Sequence, residues 1–358
     1  MGLTLRNVDK TVNGEMHLDQ IDLEFETGSR YVLLGRTLAG KTSLLRILAG
    51  LDRPSSGQLL INGRDMAGVS VRKRSVAMVY QQFINYPSLS IYDNIASPLK
   101  ISGVSKKEID RRVREIASML HLESMLNRIP AELSGGQQQR TAIARALVKD
   151  AELLLLDEPL VNLDYKLREE LRVELKEIFR KRDAIVVYTT TEPTEALLLG
   201  GNVIVLDKGR VLQTGATAKV YQHPETQRVA EVFSDPPINS LDTVVSDGRA
   251  VMGDGIPVPL AGHLAGLAPG RYRFAFRSNH LWLASRDGDV AITGTVELAE
   301  INGSETFIHV HHGQSPFVVQ EDGVHPFSMG SAITVFIHPQ HLFVYDTEGR
   351  LVTAPPVV

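Results

Sequence analysis

The sequence predicts a mainly parallel α/β domain followed by a smaller all-β domain. Three observations lead there. Short, wholly apolar runs alternate with helical patterns through the first two thirds of the chain. A glycine-rich loop stands between one such run and a helix, and near Ser234-Asp235-Pro236-Pro237 the pattern changes to short strands and turns with almost no helical periodicity.

Taken in order, Ile21, Leu23 and Phe25 alternate with Asp22 and Glu24, the period of a half-buried strand, so residues up to about Phe25 are expected in antiparallel β structure. Tyr31–Leu34 is a buried-strand run that ends in Gly35, and a helical pattern covers Lys41–Leu48. Runs of the same kind recur at Val76–Tyr80, Leu153–Leu156, Ala184–Tyr188 and Val203–Leu206. Ser105-Lys106-Lys107-Glu108 reads as a capping box before a stripe of Ile109, Val113, Ile116 and Leu120. Asp164 precedes a second stripe, Leu167, Leu171, Leu175 and Ile178. The tail carries a weak repeat, Phe276-Arg277-Ser278-Asn279-His280-Leu281 against Ile337-His338-Pro339-Gln340-His341-Leu342, which predicts a small barrel-like domain built from halves.

A chain of 358 residues exceeds one ordinary core, and we place the domains at 1–235 and 236–358. With a net charge of −4, nothing argues for nucleic acid as a bulk electrostatic partner. The absence of cysteine excludes disulfides, thiolate metal sites and a cysteine nucleophile. The N-terminus lacks the apolar core of a signal peptide, and no run approaches the roughly 20 apolar residues of a membrane helix. The chain is therefore expected to be soluble and to reach any membrane by docking on partners that span it.

Three motifs carry chemistry. Gly35-Arg36-Thr37-Leu38-Ala39-Gly40-Lys41-Thr42-Ser43 fits a phosphate loop between strand and helix, where backbone N–H groups converge on phosphate oxygens. Lys41 should reach the β- and γ-phosphates of ATP, and Thr42 should offer its hydroxyl to Mg²⁺. The apolar run 153–156 delivers Asp157 and Glu158 at its C-terminal end; Asp157 suits Mg²⁺, and Glu158 suits activation of an attacking water. Ser134-Gly135-Gly136-Gln137, after Leu133, opens a helix with Ser134 as N-cap, an anion site that a phosphate can approach closely.

With these motifs the chain resembles the ATPase subunits of ABC importers, specifically the maltose-type group with a C-terminal regulatory domain. The resemblance implies a P-loop NTPase nucleotide-binding domain with a parallel sheet core, an antiparallel β subdomain and a helical subdomain, followed by an all-β OB-like domain. It also implies two ATPase subunits facing head to tail, ATP being held between the phosphate loop of one and the Ser134–Gln137 segment of the other. Gln81 matches the glutamine that senses Mg²⁺ and the attacking water. Phe83-Ile84-Asn85-Tyr86-Pro87 matches the surface that receives transmembrane permease subunits, and Leu163-Asp164 matches the D-loop. The expected place is the cytoplasmic face of the cell membrane, with a solute-binding protein as an indirect partner. The wording around 80–98 and 189–200 is most similar to ATPase subunits of glycerol importers.

Two departures bear on the quality of the site. The family carries a histidine where this chain has Thr191, within Tyr188-Thr189-Thr190-Thr191-Glu192-Pro193. Threonine donates one hydrogen bond but cannot become cationic. Either hydrolysis is slower or leans harder on Glu158, or a rearranged loop lets Thr190 or Thr191 do the work with water. Val12 stands where the family stacks an aromatic ring on adenine, and His17 is the only ring before Phe25. Modest ATP affinity and weak discrimination from GTP are expected. In the loop, Leu38 replaces a common glycine and Arg36 a common proline. These departures leave open a homodimer or a pair with a different ATPase subunit, one composite site being weaker. The competing class, a soluble ABC protein acting on nucleic acid, lacks support in a single acidic nucleotide domain. His309, His311 and His312 are expected on a strand with the first two on one face, either a metal site or, with no carboxylate partner in view, the favoured solvated surface; Trp282 is expected in packed core.

Overall fold

The computed structural model describes residues 2–161 and 163–356. The chain divides into two compact units, Met1–Thr217 and Ala218–Val358. The division falls earlier than the expected 235/236: the segment 218–235 clusters with the second unit.

The first unit opens with β1 (Leu3–Val12) and β2 (Glu15–Phe25), an antiparallel hairpin. Ile21, Leu23 and Phe25 are buried, as their alternation requires. After β3 (Arg30–Leu34) and α1 (Lys41–Ala49) come β4 (Ser56–Ile61) and β5 (Arg64–Asp65), which complete a four-stranded sheet in the order β2-β1-β4-β5. Next follow β6 (Val76–Val79) and three helices that pack on one another: α2 (Ile91–Ile101), α3 (Lys106–Met119) and α4 (Gly135–Leu147). The unit closes with β7 (Leu153–Asp157), α5 (Tyr165–Arg180), β8 (Ile185–Thr190), α6 (Pro193–Leu199), β9 (Asn202–Asp207) and β10 (Arg210–Ala216).

Its central sheet runs β10-β9-β3-β8-β7-β6, parallel throughout except for the β9–β10 hairpin at one edge. Strands β7 and β8 are buried along their whole length, which is why they read as unbroken apolar runs. The expected caps form. Ser105, Ser134 and Asp164 accept from the N–H groups of Glu108, Gln137 and Leu167. At Ser105 the box is only half made, because the Glu108 carboxylate turns to Arg111 and Arg112.

The second unit begins with two short helices, α7 (Thr217–Gln222) and α8 (Gln227–Val232). Then come β11 (Asn239–Ser246), β12 (Arg249–Met252), β13 (Ile256–Val258), β14 (Gly270–Phe276), β15 (Val290–Asn302), β16 (Glu305–His312), β17 (Ser315–Asp322), β18 (Ala332–Ile337), β19 (Phe343–Tyr345) and β20 (Leu351–Thr353). They form two antiparallel sheets, β13-β12-β11-β14-β19-β20 and β17-β16-β15-β18, around a core that includes Phe274, Phe276, Ile292, Ile308 and Val335. The repeat is structural: β14 and β18 each run into a 3₁₀ turn, Ser278–His280 and Pro339–His341. His280 and His341, equivalent within it, face one another with ring centroids 4.4 Å apart.

Arg277 is buried in this unit and, among the described residues, has no carboxylate partner. Its guanidinium stacks 3.6 Å from the centre of the Tyr221 ring and donates to Tyr221 O at 2.7 Å and Ser234 Oγ at 2.6 Å. These bonds tie the segment of α7 and α8 to the end of β14.

Two expectations for the tail are corrected. His309 and His311 do have carboxylate partners, Glu300 at 3.6 Å and Glu297 at 2.9 Å, because cross-strand neighbours on β15 and β16 are far apart in sequence. Trp282 is half-buried rather than packed core: its indole N–H donates to Asp289 Oδ2 at 2.7 Å, and Arg286 lies 4.0 Å over its ring. Among the described residues no group of three or more His, Cys, Asp or Glu is arranged to hold a metal ion, and no helix is long and apolar enough to cross a membrane.

Candidate functional site

The site forms at the C-terminal ends of β3, β7 and β8, where side chains of a parallel sheet reach the surface. The chain leaves β3 into the phosphate loop and enters α1 at Lys41. Gly40 caps that helix at φ 103°, and a Cβ there would meet His17 O at 2.5 Å. Only glycine fits. Leu38, at φ 67°, takes a backbone conformation that costs an L-residue roughly 1–2 kcal/mol, which explains why glycine is common there; its side chain is 95% exposed.

Lys41 is 4% exposed; its Nζ donates to Gly35 O at 2.8 Å and Arg36 O at 3.1 Å and pairs with Glu158 Oε1 at 3.0 Å. Thr42 Oγ1 donates to Asp157 Oδ1 at 3.2 Å. Thr189, on β8 beside β7, donates to the same oxygen at 2.9 Å and accepts from the Glu158 N–H at 2.9 Å. Glu158 turns at φ 42°, in the left-handed region uncommon outside glycine. Its second carboxylate oxygen accepts from Gln81 Nε2 at 3.2 Å. Burial pushes the Asp157 carboxyl up from its ordinary value, against the hydrogen bonds from Thr189 and Thr42 that pull it down.

The arrangement therefore gathers Gly35 to Ser43, Gln81, Asp157 and Glu158 into one cluster. Thr191 borders it, sharing a small cavity with Glu158, Val161, Thr190, Glu192 and Glu195. Thr190 Oγ1 accepts from the Glu192 N–H at 2.9 Å and so shapes the turn. Ser134 and Gln137 satisfy one another instead: Gln137 Oε1 accepts from the Ser134 N–H at 3.0 Å, and Ser134 Oγ from the Gln137 N–H at 3.4 Å. The side chain a residue at 136 would add lies 2.3 Å from Leu167 Cδ2, whereas that of one at 135 would meet open space. A Cβ at 136 would thus press the end of the Leu167 side chain aside, whereas one at 135 would face open space.

Thr189 was missed by the sequence reading, which weighed Thr190 and Thr191. Its role comes from the pairing of Asp157 with Thr189 across β7 and β8, a register that sequence distance conceals. At the expected base end, Val12 is half-buried beside the hairpin turn, and the His17 ring lies with Nδ1 3.0 Å from Ser43 Oγ. The segment after Gln81 is held to α4: Asn85 Nδ2 donates to Gln138 O at 2.8 Å, and Arg145 donates to Ile84 O and stacks on Tyr86. Ile84 and Tyr86 remain exposed.

A parallel sheet with a phosphate loop, an acidic pair and a separate capped SGGQ turn defines a nucleotide-hydrolysing cassette. Residues 18–161 match the ABC transporter family, and residues 274–344 match the TOBE domain. The chain is 37% identical over 357 residues to the sn-glycerol-3-phosphate import ATP-binding protein UgpC of Paraburkholderia xenovorans, covering 97% of this chain and 98% of that one. It is 36% identical over 356 residues to the protein of the same name from Salmonella typhimurium, covering 98% and 99%. A solved dimer of the ATP-binding cassette MJ0796, bound to ADP and Pi, superposes with a TM-score of 0.55 at 30% identity, covering 60% of this chain and 98% of that chain. The chain belongs to the ABC transporter family, as an ATPase that couples ATP hydrolysis to import.

Proposed function

We propose that this chain powers uptake of glycerol 3-phosphate or a related glycerol-type polyol, acting from the cytoplasmic face of the cell membrane on permease subunits that dock near Gln81–Pro87. The observation that carries the ATPase part of the reading is the cluster of Lys41, Thr42, Asp157, Glu158 and Gln81, with Ser134–Gln137 bonded within its own turn, while the solute class is taken from the glycerol-3-phosphate import relatives. A γ-phosphate on Lys41 needs a second anion-binding turn, and in a head-to-tail dimer the Ser134–Gln137 segment of another subunit supplies it.

Thr42 and Asp157 offer hard oxygen donors 3.2 Å apart, a set that fits Mg²⁺. Thr42 and Asp157 would hold the ion, which would supply neutralisation of phosphate charge. Lys41 transfers its hydrogen bonds from the loop carbonyls and Glu158 to phosphate oxygens. Glu158, freed from the ammonium, accepts the proton of the attacking water, and Gln81 orients that water through its amide. Thr191 donates a hydrogen bond to the γ-phosphate or to the water. Hydrolysis and release then reopen the dimer and move the permease between its two states.

Reconstitution with the permeases in vesicles tests this reading. ATP hydrolysis and uptake of labelled glycerol 3-phosphate should rise together and vanish together in Lys41→Ala. Hydrolysis that transports no glycerol-type solute would sink the substrate assignment.

A second reading is favoured by Thr191 and Val12: this is the weaker subunit of a heterodimeric pair. Co-purification of a second, histidine-bearing ATPase subunit would establish it, and a stable, active homodimer would exclude it.

A further inference from the structure

We infer that Arg168 is a positioning residue for hydrolysis, gripping the D-loop and the turn after β8 together so that Thr191 is held against Glu158. The inference rests on the reading of Thr191 given above.

Arg168 lies in the first turn of α5 and is half-buried. Its Nη1 pairs with Glu192 Oε1, while Nη2 points at two carbonyls of the preceding loop, Val161 O and Leu163 O, each at 3.4 Å. That loop starts at the catalytic carboxylate: Glu158 O accepts from the Val161 N–H. One planar guanidinium therefore spans two segments, and its rigid fork reaches acceptors farther apart than a compact ammonium does.

Glu192 is fixed from two further directions. Its N–H is held by Thr190 Oγ1, its other carboxylate oxygen lies 3.5 Å from Arg172 Nη2, and that guanidinium lies 3.4 Å from Glu195 Oε1. Glu195 in turn accepts from Tyr188 OH at 3.1 Å. Arg172, Glu195 and Tyr188 are all buried, so the chain of contacts from β8 through α6 to α5 is anchored in the interior. Thr191 sits between Thr190 and Glu192, both of which are pinned, and shares its cavity with Glu158 and Val161.

The short side chain explains the need. Histidine can reach a phosphate from a range of backbone positions, but threonine extends only to its γ-oxygen. A displacement on the order of 1 Å can cost about 10²-fold in rate. A threonine at this position thus depends on the backbone being placed for it, and Arg168 is the residue that bonds to both sides of the gap.

The test is a double-mutant cycle in the full-length, transport-competent assembly. Arg168→Ala should lower kcat at least about tenfold with KM for ATP within about twofold, and Arg168→Lys should restore only part of the loss. In a Thr191→Ala background the further loss from Arg168→Ala should vanish, because the group it positions is gone. Equal fold-losses in both backgrounds, or an unchanged kcat in Arg168→Ala, overturn the proposal. A Thr191→Ala variant with normal kcat instead refutes the role of Thr191 itself, and the two failures are distinguishable. Should Arg168→Ala not fold, the isosteric Glu192→Gln carries the same cycle with the same outcomes.

Discussion

Lys41 Nζ and Glu158 Oε1 stand 3.0 Å apart, so the cation that should receive phosphate also neutralises the carboxylate that should receive a proton. Binding and base activation are thereby linked through one ammonium. Glu158→Gln should lower kcat by about 10²–10⁴-fold while leaving ATP affinity equal or tighter, since Lys41 no longer has to leave an ion pair. Calorimetric titration with ATP beside single-turnover hydrolysis checks both halves. A loss of affinity as large as that of Lys41→Ala would contradict the linkage.

Thr189 carries two bonds of the acidic pair, one to Asp157 and one from the Glu158 N–H. Thr189→Val keeps the shape and removes both, leaving a buried carboxylate and a backbone donor short of partners. The expected cost is about 1–3 kcal/mol of stability together with a weaker response to Mg²⁺. Thr189→Ser should recover most of each, read by chemical denaturation and by the Mg²⁺ dependence of hydrolysis.

The two glycines of the signature turn should separate folding from function. Gly136→Ala sets a methyl 2.3 Å from Leu167 Cδ2 and should destabilise the first unit by about 1–3 kcal/mol. Gly135→Ala meets nothing within 4 Å in its own chain, so thermal stability should hold while ATP-driven dimer formation and hydrolysis fall. A stability loss in Gly135→Ala would mean that the residue serves its own fold.

The paired rings of the tail predict a pH dependence. Burial, with His341 and Arg277 nearby, lowers the His280 pKa from 6.5 to about 4, so the unfolded chain takes up a proton that the folded chain refuses. The stabilising contribution is complete above about pH 6.5 and is lost as pH falls toward 4, by about 3 kcal/mol. His280→Phe should flatten that part of the profile. Denaturation of both proteins at pH 7 and pH 5 measures the difference.

How far the sequence is legible depends on how local each signal is. The phosphate loop, the acidic pair and the three N-cap residues are contiguous signals that neighbouring residues alone reveal, although the second half of the box at Ser105 is lost to Arg111 and Arg112. Thr189, Arg168 and Glu192 are different. Their partners lie across strand pairs or between α5 and the turn after β8, and nothing in their own sequence neighbourhoods reveals those partners. Glu297 and Glu300 are hidden from His311 and His309 in the same way, by the β15–β16 hairpin register. The change of composition near Ser234 is real but marks where strands begin, not where the compact unit does, because two short helices already belong to it.

Arg277 gives that last point a practical form. A chimera that joined a foreign cassette to residues 236–358 would discard Tyr221 and Ser234, leaving a buried guanidinium stripped of its stacking ring and of the acceptors at 2.6 and 2.7 Å. The transplantable piece runs from 218 onward. C-terminal domains exchanged between related importers should be spliced at 217/218, where the cut passes outside everything Arg277 holds.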